Sequence, residues 1–379
     1  MSQKERRNAS NDKVEVQGGA YSTYSDTRSD EPIPNLFGPT PGLVRLMGNE
    51  NAFGPSPRAL PVIANCVARS SYYADRPVFR LLAMIAERHG VSPSQVVLGS
   101  GSTEILCAVA HAWAGKGPVL CPDLFWDTPV QYAEQKGAEC IGIAMKPDLS
   151  IDVEGMAACL DERAISLIHL VNPNNPTGLL IDHAKLKNLA DKANAKGTTV
   201  LVDEAYNELS DFPEESSAID LIRAGADVIV TRTFSKIYGM AGLRVGYAIS
   251  SEENISRIRG YLTSFGGNTA GLAGAIASYD DQEFLTFSRS AILEGRAKIM
   301  EAVKQCGLSA LPSQTNFVFV NVATNADDVM EAMKRRGILI RGAFGKWKEY
   351  SRVSIGRPDE VDRYVQALPE VIDELRRSR

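Results

Sequence analysis

Asp203-Glu204-Ala205-Tyr206, Thr233-Phe234-Ser235-Lys236 and Arg244 succeed one another in the middle of the chain. They bring together carboxylate, phenol, hydroxyl, amine and guanidinium groups, a set suited to an aromatic aldehyde that carries a phosphate. A lysine amine in a partly dry pocket loses its proton and forms an imine with an aldehyde. A carboxylate facing a pyridine nitrogen keeps that nitrogen protonated, because opposite charges at contact favour the charged forms. The protonated ring then withdraws electrons from a carbanion at a substrate α-carbon. A phenol donates to the ring's phenolate oxygen, while hydroxyls and a forked guanidinium hold the phosphate. Taken singly, Lys236 reads as a surface charge, Asp203 as a helix N-cap and Tyr206 as a half-buried packing residue. Their order and spacing point to pyridoxal 5'-phosphate (PLP), with Lys236, Asp203 and Tyr206 as the catalytic groups.

Other segments complete such a site. Gly99-Ser100-Gly101-Ser102-Thr103-Glu104 follows an apolar run and opens an amphipathic one. The free N–H groups of a helix start make a phosphate cradle there, lined by Gly101, Ser102 and Thr103. The segment lacks the Gly-Lys-Ser/Thr ending of a Walker A loop and otherwise serves as a plain strand-turn-helix. Thr233, Ser235 and Arg244 close the cup. Trp126 offers a flat face to stack on a cofactor ring, or packs in a core or interface. Asn175, in the turn-forming Asn172-Pro173-Asn174-Asn175-Pro176-Thr177-Gly178, presents an amide to the phenolate oxygen, or serves the turn alone. Arg352 grips a substrate carboxylate as a fork, or forms a surface ion pair.

Short apolar, β-branched runs precede most of these segments: Val96-Val97-Leu98, Val119-Leu120, and residues 141–144, 165–171, 199–202, 228–231 and 245–249. Amphipathic stretches such as 103–113 and 128–136 lie between them. This alternation predicts an α/β fold, a mostly parallel sheet sandwiched by helices. Ligands of such sheets bind beyond the carboxyl ends of the strands, which is where the candidate residues fall. After about residue 270 the pattern changes to a helix over 284–303, a strand over 316–322 and a helix over 326–336. Two short strands (337–341 and 352–355) and a last helix (359–375) follow, as in a smaller α+β domain. The expected division is a large PLP-binding domain over 71–271, a small domain from 39–70 with 272–379, and a flexible arm over the polar, aperiodic residues 1–38.

With 379 residues, 44% hydrophobic and 23% charged, the composition is that of a globular protein, and a net charge of -5 argues against a general nucleic-acid binder. The cysteines are scattered without a C-x-x-C pair, which suggests neither a zinc site nor a disulfide framework but thiols in a reducing, cytoplasmic setting. No apolar run reaches the roughly 18 residues of a membrane span. Lys4, Arg6 and Arg7 are not followed by an apolar stretch, so no signal peptide is read.

From about Leu46 to the C-terminus the chain resembles the fold-type I PLP enzymes of the class I/II aminotransferases, and within them the histidinol-phosphate aminotransferase-like group. Asn49-Glu50-Asn51-Ala52-Phe53-Gly54-Pro55-Ser56-Pro57 is similar to that group's N-E-N-P-Y-G-P-S-P. Asn174 to Gly178, Asp203 to Tyr206, Thr233 to Lys236 and Ala241 to Tyr247 match its central motifs almost letter for letter. The resemblance implies the PLP-dependent transferase fold and a ping-pong transfer of an amino group between an amino acid, or a similar amine, and a 2-oxo acid through a Lys236 Schiff base. It also implies a homodimer with shared active sites, in which Tyr73 reaches the neighbouring subunit's cofactor phosphate. Trp126 takes the place of the family's stacking aromatic. Arg352, with Arg341 near it, matches the arginines for the substrate's acidic group, and Asn175 and Phe53 border the substrate.

Two departures bear on the substrate. The family's N-P-Y-G tyrosine is Phe53, and its P-Y-N-V segment is Ser264-Phe265-Gly266-Gly267-Asn268. In histidinol-phosphate enzymes such tyrosines help hold the substrate phosphate, so their loss weakens that assignment and leaves the cofactor untouched. The alternatives are a true histidinol-phosphate aminotransferase and a related PLP enzyme that breaks another bond, such as a phosphothreonine-type decarboxylase, a lyase or an oxidase. A non-catalytic binding protein of aminotransferase ancestry is opposed by the intact Lys236, Asp203 and Arg244.

Overall fold

A computed structural model describes residues 38–264 and 266–377. Phe265 and all of the expected arm but its last residue lie outside the described residues.

The apolar runs that precede the candidate site all become strands of one seven-stranded sheet. Its spatial order is Val96–Gly99, Gly246–Ile249, Val228–Thr233, Thr199–Asp203, Leu167–Val171, Val119–Pro122 and Cys140–Ile143. Gly246–Ile249 runs antiparallel to both of its neighbours, and the other pairs are parallel. The central strands Leu167–Val171, Thr199–Asp203 and Val228–Thr233 are buried along their whole length, which is why they read as unbroken apolar runs. Ile168, Val200, Val202, Val228 and Val230 face one core. Leu167, Leu201 and Ile229 face another, where the Gly101–Ala114 helix packs through Ile105, Val109 and Trp113.

Two of these strands outlast their apolar runs. Asp203 pairs with Thr231, and Thr233 with Gly246, so the backbone ladder carries on where the side chains turn polar. Gly99, Val171, Asp203 and Thr233 therefore end their strands on one edge of the sheet. The reversed strand begins at this same edge, since Gly246 pairs with both Gly99 and Thr233. Its direction is what delivers Arg244, two residues earlier, to the carboxyl ends of the others.

A second, antiparallel sheet orders Tyr350–Ser354, Phe317–Asn321 and Ser309–Ala310. The helices Gln282–Gln305, Ala326–Arg335 and Pro358–Arg377 belong to the same part of the chain. Val44–Arg45 pairs in parallel with Ile338–Leu339, which ties the N-terminal segment to the C-terminal one. Residues 46–55 then cross to the edge of the large sheet. Ser354 N donates to Leu46 O at 2.8 Å, and Asn51 Nδ2 donates to Ile237 O at 2.8 Å. The approach is close enough to require a glycine: at Gly239 (φ +69°) a Cβ would lie 1.9 Å from Gly54 O. Among the described residues, no helix is long and apolar enough to cross a membrane.

Candidate active site

Lys236 follows the Val228–Thr233 strand and is half-buried. Its Nζ donates to Asn49 O at 3.1 Å and lies 5.4 Å from the centroid of the Tyr206 ring. Tyr206 is buried, and its Oη accepts from Asn49 Nδ2 at 3.1 Å and from Asn175 Nδ2 at 3.3 Å. With two amides donating to this oxygen, the hydroxyl proton is left to donate elsewhere. Asn175 Oδ1 in turn accepts from Arg352 Nη1 at 2.5 Å. Through Asn49, the Lys236 amine thus connects to the Tyr206 phenol, the Asn175 amide and the Arg352 guanidinium in one line from the sheet edge to the second sheet.

Arg352 is buried, with its Nη2 donating to Met47 O at 2.9 Å. Its Nε has no partner among the described residues. The guanidinium sits 5.2 Å from the Phe317 ring centroid and 5.7 Å from that of Phe344. Burial pushes its pKa down to about 10, with the charge of Arg341 acting in the same direction. A buried cation with an unmet donor is a binding group for an anion. Arg341 is held beside it by backbone pairing, each residue's N–H reaching the other's carbonyl, at 3.0 and 3.3 Å. Its guanidinium lies 5.6 Å from the Phe344 centroid.

Asp203, the last residue of its strand, is 3% exposed and caps no helix. Its Oδ1 accepts from Thr231 Oγ1 at 2.9 Å, and it forms no ion pair among the described residues. Burial raises its pKa to about 6, against the opposing pull of the Thr231 hydroxyl and the Lys236 charge. A carboxylate in this condition gains most from a cationic N–H partner.

Gly101 opens the Gly101–Ala114 helix with φ +72°, and the Ser100 side chain does not cap it. Across from it, Arg244 takes the left-handed conformation (φ 51°) and donates from Nη1 to Ser235 Oγ at 3.3 Å and from Nη2 to Ser100 O at 3.4 Å. Thr233 Oγ1 donates to Ser235 Oγ at 2.9 Å and accepts from Ser235 N at 3.1 Å. Ser102 is buried and Thr103 half-buried on the first helical turn. Helix N–H groups, hydroxyls and a guanidinium converge here, a cup suited to a phosphate, while Glu104 Oε2 takes the Ser100 N–H at 2.6 Å.

The family description "Aminotransferase class I and II" matches residues 44–368. The chain is a class I and II aminotransferase. It is 36% identical to histidinol-phosphate aminotransferase 2 of Pseudomonas aeruginosa, over 87% of this chain and 89% of the relative. The histidinol-phosphate aminotransferase of Brevibacillus brevis is 33% identical over 92% of this chain and 95% of its own. The solved structure of the Sinorhizobium meliloti histidinol-phosphate aminotransferase in complex with pyridoxal-5'-phosphate superimposes with a TM-score of 0.82 at 29% identity, covering 88% of this chain and 92% of that one. The aspartate aminotransferase of Thermus thermophilus with maleate shares the fold at 20% identity and a TM-score of 0.76, over 87% and 91%. PLP is the cofactor of this aminotransferase, and PLP-dependent transamination is its reaction.

The residues of this aminotransferase fit that cofactor. Asp203 is a buried carboxylate short of a cation, and the cup at Arg244 closes too tightly for larger residues. A Cβ on Gly101 would lie 2.2 Å from Arg244 Nη2, and one on Gly246 2.2 Å from Ser102 N. Trp126 is half-buried on the loop beyond Val119–Pro122, at the same sheet edge, and Asn174 Nδ2 ties that loop down through Leu124 O at 3.0 Å. Phe53 packs its ring edge-on against Phe287, with centroids 5.5 Å apart. Tyr73 lies largely at the surface, 75% exposed, just before the Asp75–His89 helix.

Asn49, Ser354 and Asn316 belong to the site and were missed as functional groups. Asn49 exchanges hydrogen bonds with Ser354 Oγ through its backbone N–H (2.9 Å) and its Oδ1 (2.7 Å), while Asn316 Nδ2 donates to Asn49 O at 2.9 Å. Asn49 has φ 55°, so this short polar residue takes a left-handed turn that most side chains resist. The Asn-Glu-Asn motif was the available signal, yet it carried no hint that the first asparagine meets both Lys236 and Tyr206.

Proposed function

We propose that Lys236 is the cofactor-bearing and proton-moving residue, and that the amino donor is an amino acid whose carboxylate Arg352 binds. PLP, when bound, supplies an aldehyde to take up the amino group and an electron-withdrawing ring. Lys236 would hold the cofactor through its amine and would carry the proton from the substrate α-carbon to the cofactor carbon that bore the aldehyde. Asp203 keeps the ring nitrogen protonated. Tyr206 and Asn175 would orient the phenolate side, and Trp126 would stack on the ring. Gly101, Ser102 and Thr103, with Thr233, Ser235 and Arg244, hold the phosphate. Arg352 grips the carboxylate as a fork, with Arg341 and Phe53 bordering the substrate. A 2-oxo acid then uses the same Arg352 grip in the second half of a ping-pong cycle. The observation that carries this reading is the unbroken line from Lys236 through Asn49, Tyr206 and Asn175 to the buried Arg352.

The test is a scan of single amino donors without a keto acid, following cofactor absorbance. Conversion by α-amino acids with release of the matching 2-oxo acid is expected. Carbon dioxide in place of 2-oxo acid would overturn it in favour of a decarboxylase.

A second reading is histidinol phosphate as donor, its phosphate taking the place of the carboxylate at Arg352 and Arg341. The named activity of the relatives favours it, while Phe53 lacks the hydroxyl expected to help hold that phosphate. The same scan separates the two.

The division into a large domain over 71–271 and a small one from 39–70 with 272–379 is supported by the two sheets and by the pairing of Val44–Arg45 with Ile338–Leu339. A homodimer with Tyr73 crossing to the neighbouring cup is supported by the exposed Leu60, Val67, Tyr72, Tyr73 and Phe79, all within one short stretch of chain. Equilibrium sedimentation tests it, a monomer being the contrary result. Six free cysteines support a reducing, cytoplasmic location, which cell fractionation tests.

A further inference from the structure

Behind the cofactor edge, Glu204 and Arg232 form an ion pair that touches none of the proposed reacting groups. Strand register places it. Asp203 pairs with Thr231, so Asp203, Thr231 and Thr233 share one face of the sheet, and Arg232 projects from the other. Arg232 donates to Glu204 Oε2 from Nε at 3.1 Å and from Nη2 at 2.8 Å. The Glu204 carboxylate also accepts from Ser217 Oγ at 2.9 Å and from Ala218 N at 2.6 Å. Arg232 Nη2 reaches Ser217 Oγ at 3.0 Å, and Nη1 lies 3.7 Å from Glu208. Glu204 is wholly buried and Arg232 is 9% exposed.

A pair this deep is a poor source of stability, because removing two charges from water costs about as much as their attraction returns. Its worth lies in where it stands. Glu204 is the next residue after Asp203, and Arg232 the one before Thr233, at the start of the segment that ends in Lys236. A fork of two hydrogen bonds spanning these neighbours fixes one strand end against the other from behind. On the front face, Thr231 Oγ1 holds Asp203 Oδ1 at 2.9 Å.

We propose that Glu204 and Arg232 are positioning residues that lock the Asp203 carboxylate in place relative to the Thr233–Lys236 segment. The inference rests on the roles given above to Asp203 and Lys236. It assigns neither Glu204 nor Arg232 a contact with substrate or cofactor.

The test replaces the pair with apolar residues of similar size, Glu204→Leu with Arg232→Met, so that neither member of the pair is left charged without the other. The full-length protein, stripped of PLP, is titrated with PLP by absorbance, and the reloaded enzyme is assayed with an amino acid donor. We expect a folded protein with a PLP Kd raised roughly ten-fold or more. At saturating PLP, kcat should fall roughly ten-fold while the donor KM stays within about two-fold, a split that loss of stability alone would not produce. A folded double variant with PLP Kd and kcat within about two-fold of the parent would overturn the proposal. If the double variant does not fold, Arg232→Lys keeps the charge and loses the fork, and the same two results decide. Asp203→Asn is run alongside. Impaired Asp203→Asn with unimpaired pair variants overturns this inference alone, whereas unimpaired Asp203→Asn overturns the role of Asp203 on which it rests.

Discussion

Arg352 donates from Nη1 to Asn175 Oδ1 at 2.5 Å, although the two residues stand 177 positions apart. The other end of the same amide donates to Tyr206 Oη at 3.3 Å. One buried side chain therefore joins the guanidinium proposed for the substrate carboxylate to the phenol proposed for the cofactor. Asn175 stands in a turn and through its side chain also links these two groups.

Asn175→Ala is expected to disturb both ends at once. It removes the acceptor of a buried charged donor, which costs on the order of 2 kcal/mol, and a donor to Tyr206. Donor KM should rise about ten-fold or more, and the absorbance of bound PLP should change in wavelength or pH dependence. Steady-state kinetics and a spectral pH titration check both.

Arg352→Met is expected to raise the donor KM about a hundred-fold or more with PLP occupancy intact, since one charged fork to a carboxylate is worth several kcal/mol. Its melting temperature should not fall. The native guanidinium is buried without an ion pair among the described residues and leaves Nε unmet, so an apolar side chain of similar length relieves a desolvation cost that offsets the lost hydrogen bonds to Asn175 Oδ1 and Met47 O. Kinetics and calorimetry on the same preparation decide the matter.

Lys236→Ala is expected to lose at least about a thousand-fold in transamination, since both the imine-forming amine and the proton carrier go with it. The absorbance band of lysine-bound PLP should vanish. Full rate with an unchanged band would remove Lys236 from the mechanism.

Asp203 makes the PLP-free protein sensitive to mild pH. Its folded pKa of about 6 lies above the ordinary 3.8 because burial disfavours the charge. The folded state thus holds a proton that the unfolded state has released between these values. This contribution is complete below the unfolded value and is lost as pH rises through about 6, a total of roughly 3 kcal/mol. Urea unfolding of the PLP-free protein from pH 4 to 7 should show this fall relative to Asp203→Asn, in which this part of the slope is absent. Parallel curves for the two proteins would contradict it.

Much of this was legible in the chain itself. The seven apolar runs forecast seven strands because a buried parallel strand needs apolar residues on both faces, a local demand. The groups suited to the cofactor were legible as a set because loops at strand ends concentrate their polar residues into short, ordered motifs. Strand ends were less so: Asp203 and Thr233 extend their strands by backbone pairing, which leaves no mark in hydrophobicity. Asn49 and Ser354 were overlooked as partners because 305 positions separate them.

By itself, then, the sequence determined the alternating sheet, the edge on which the site lies and the chemical groups suited to PLP, all properties of short segments. The tertiary structure alone decided which groups meet. The reversed Gly246–Ile249 strand brought Arg244 to the cup, the crossing of residues 46–55 set Asn49 against Lys236, and strand register put Glu204 and Arg232 behind Asp203. These contacts depend on register and on long-range closure of the chain, and neither a motif nor a periodicity carries the address of a partner elsewhere in the fold.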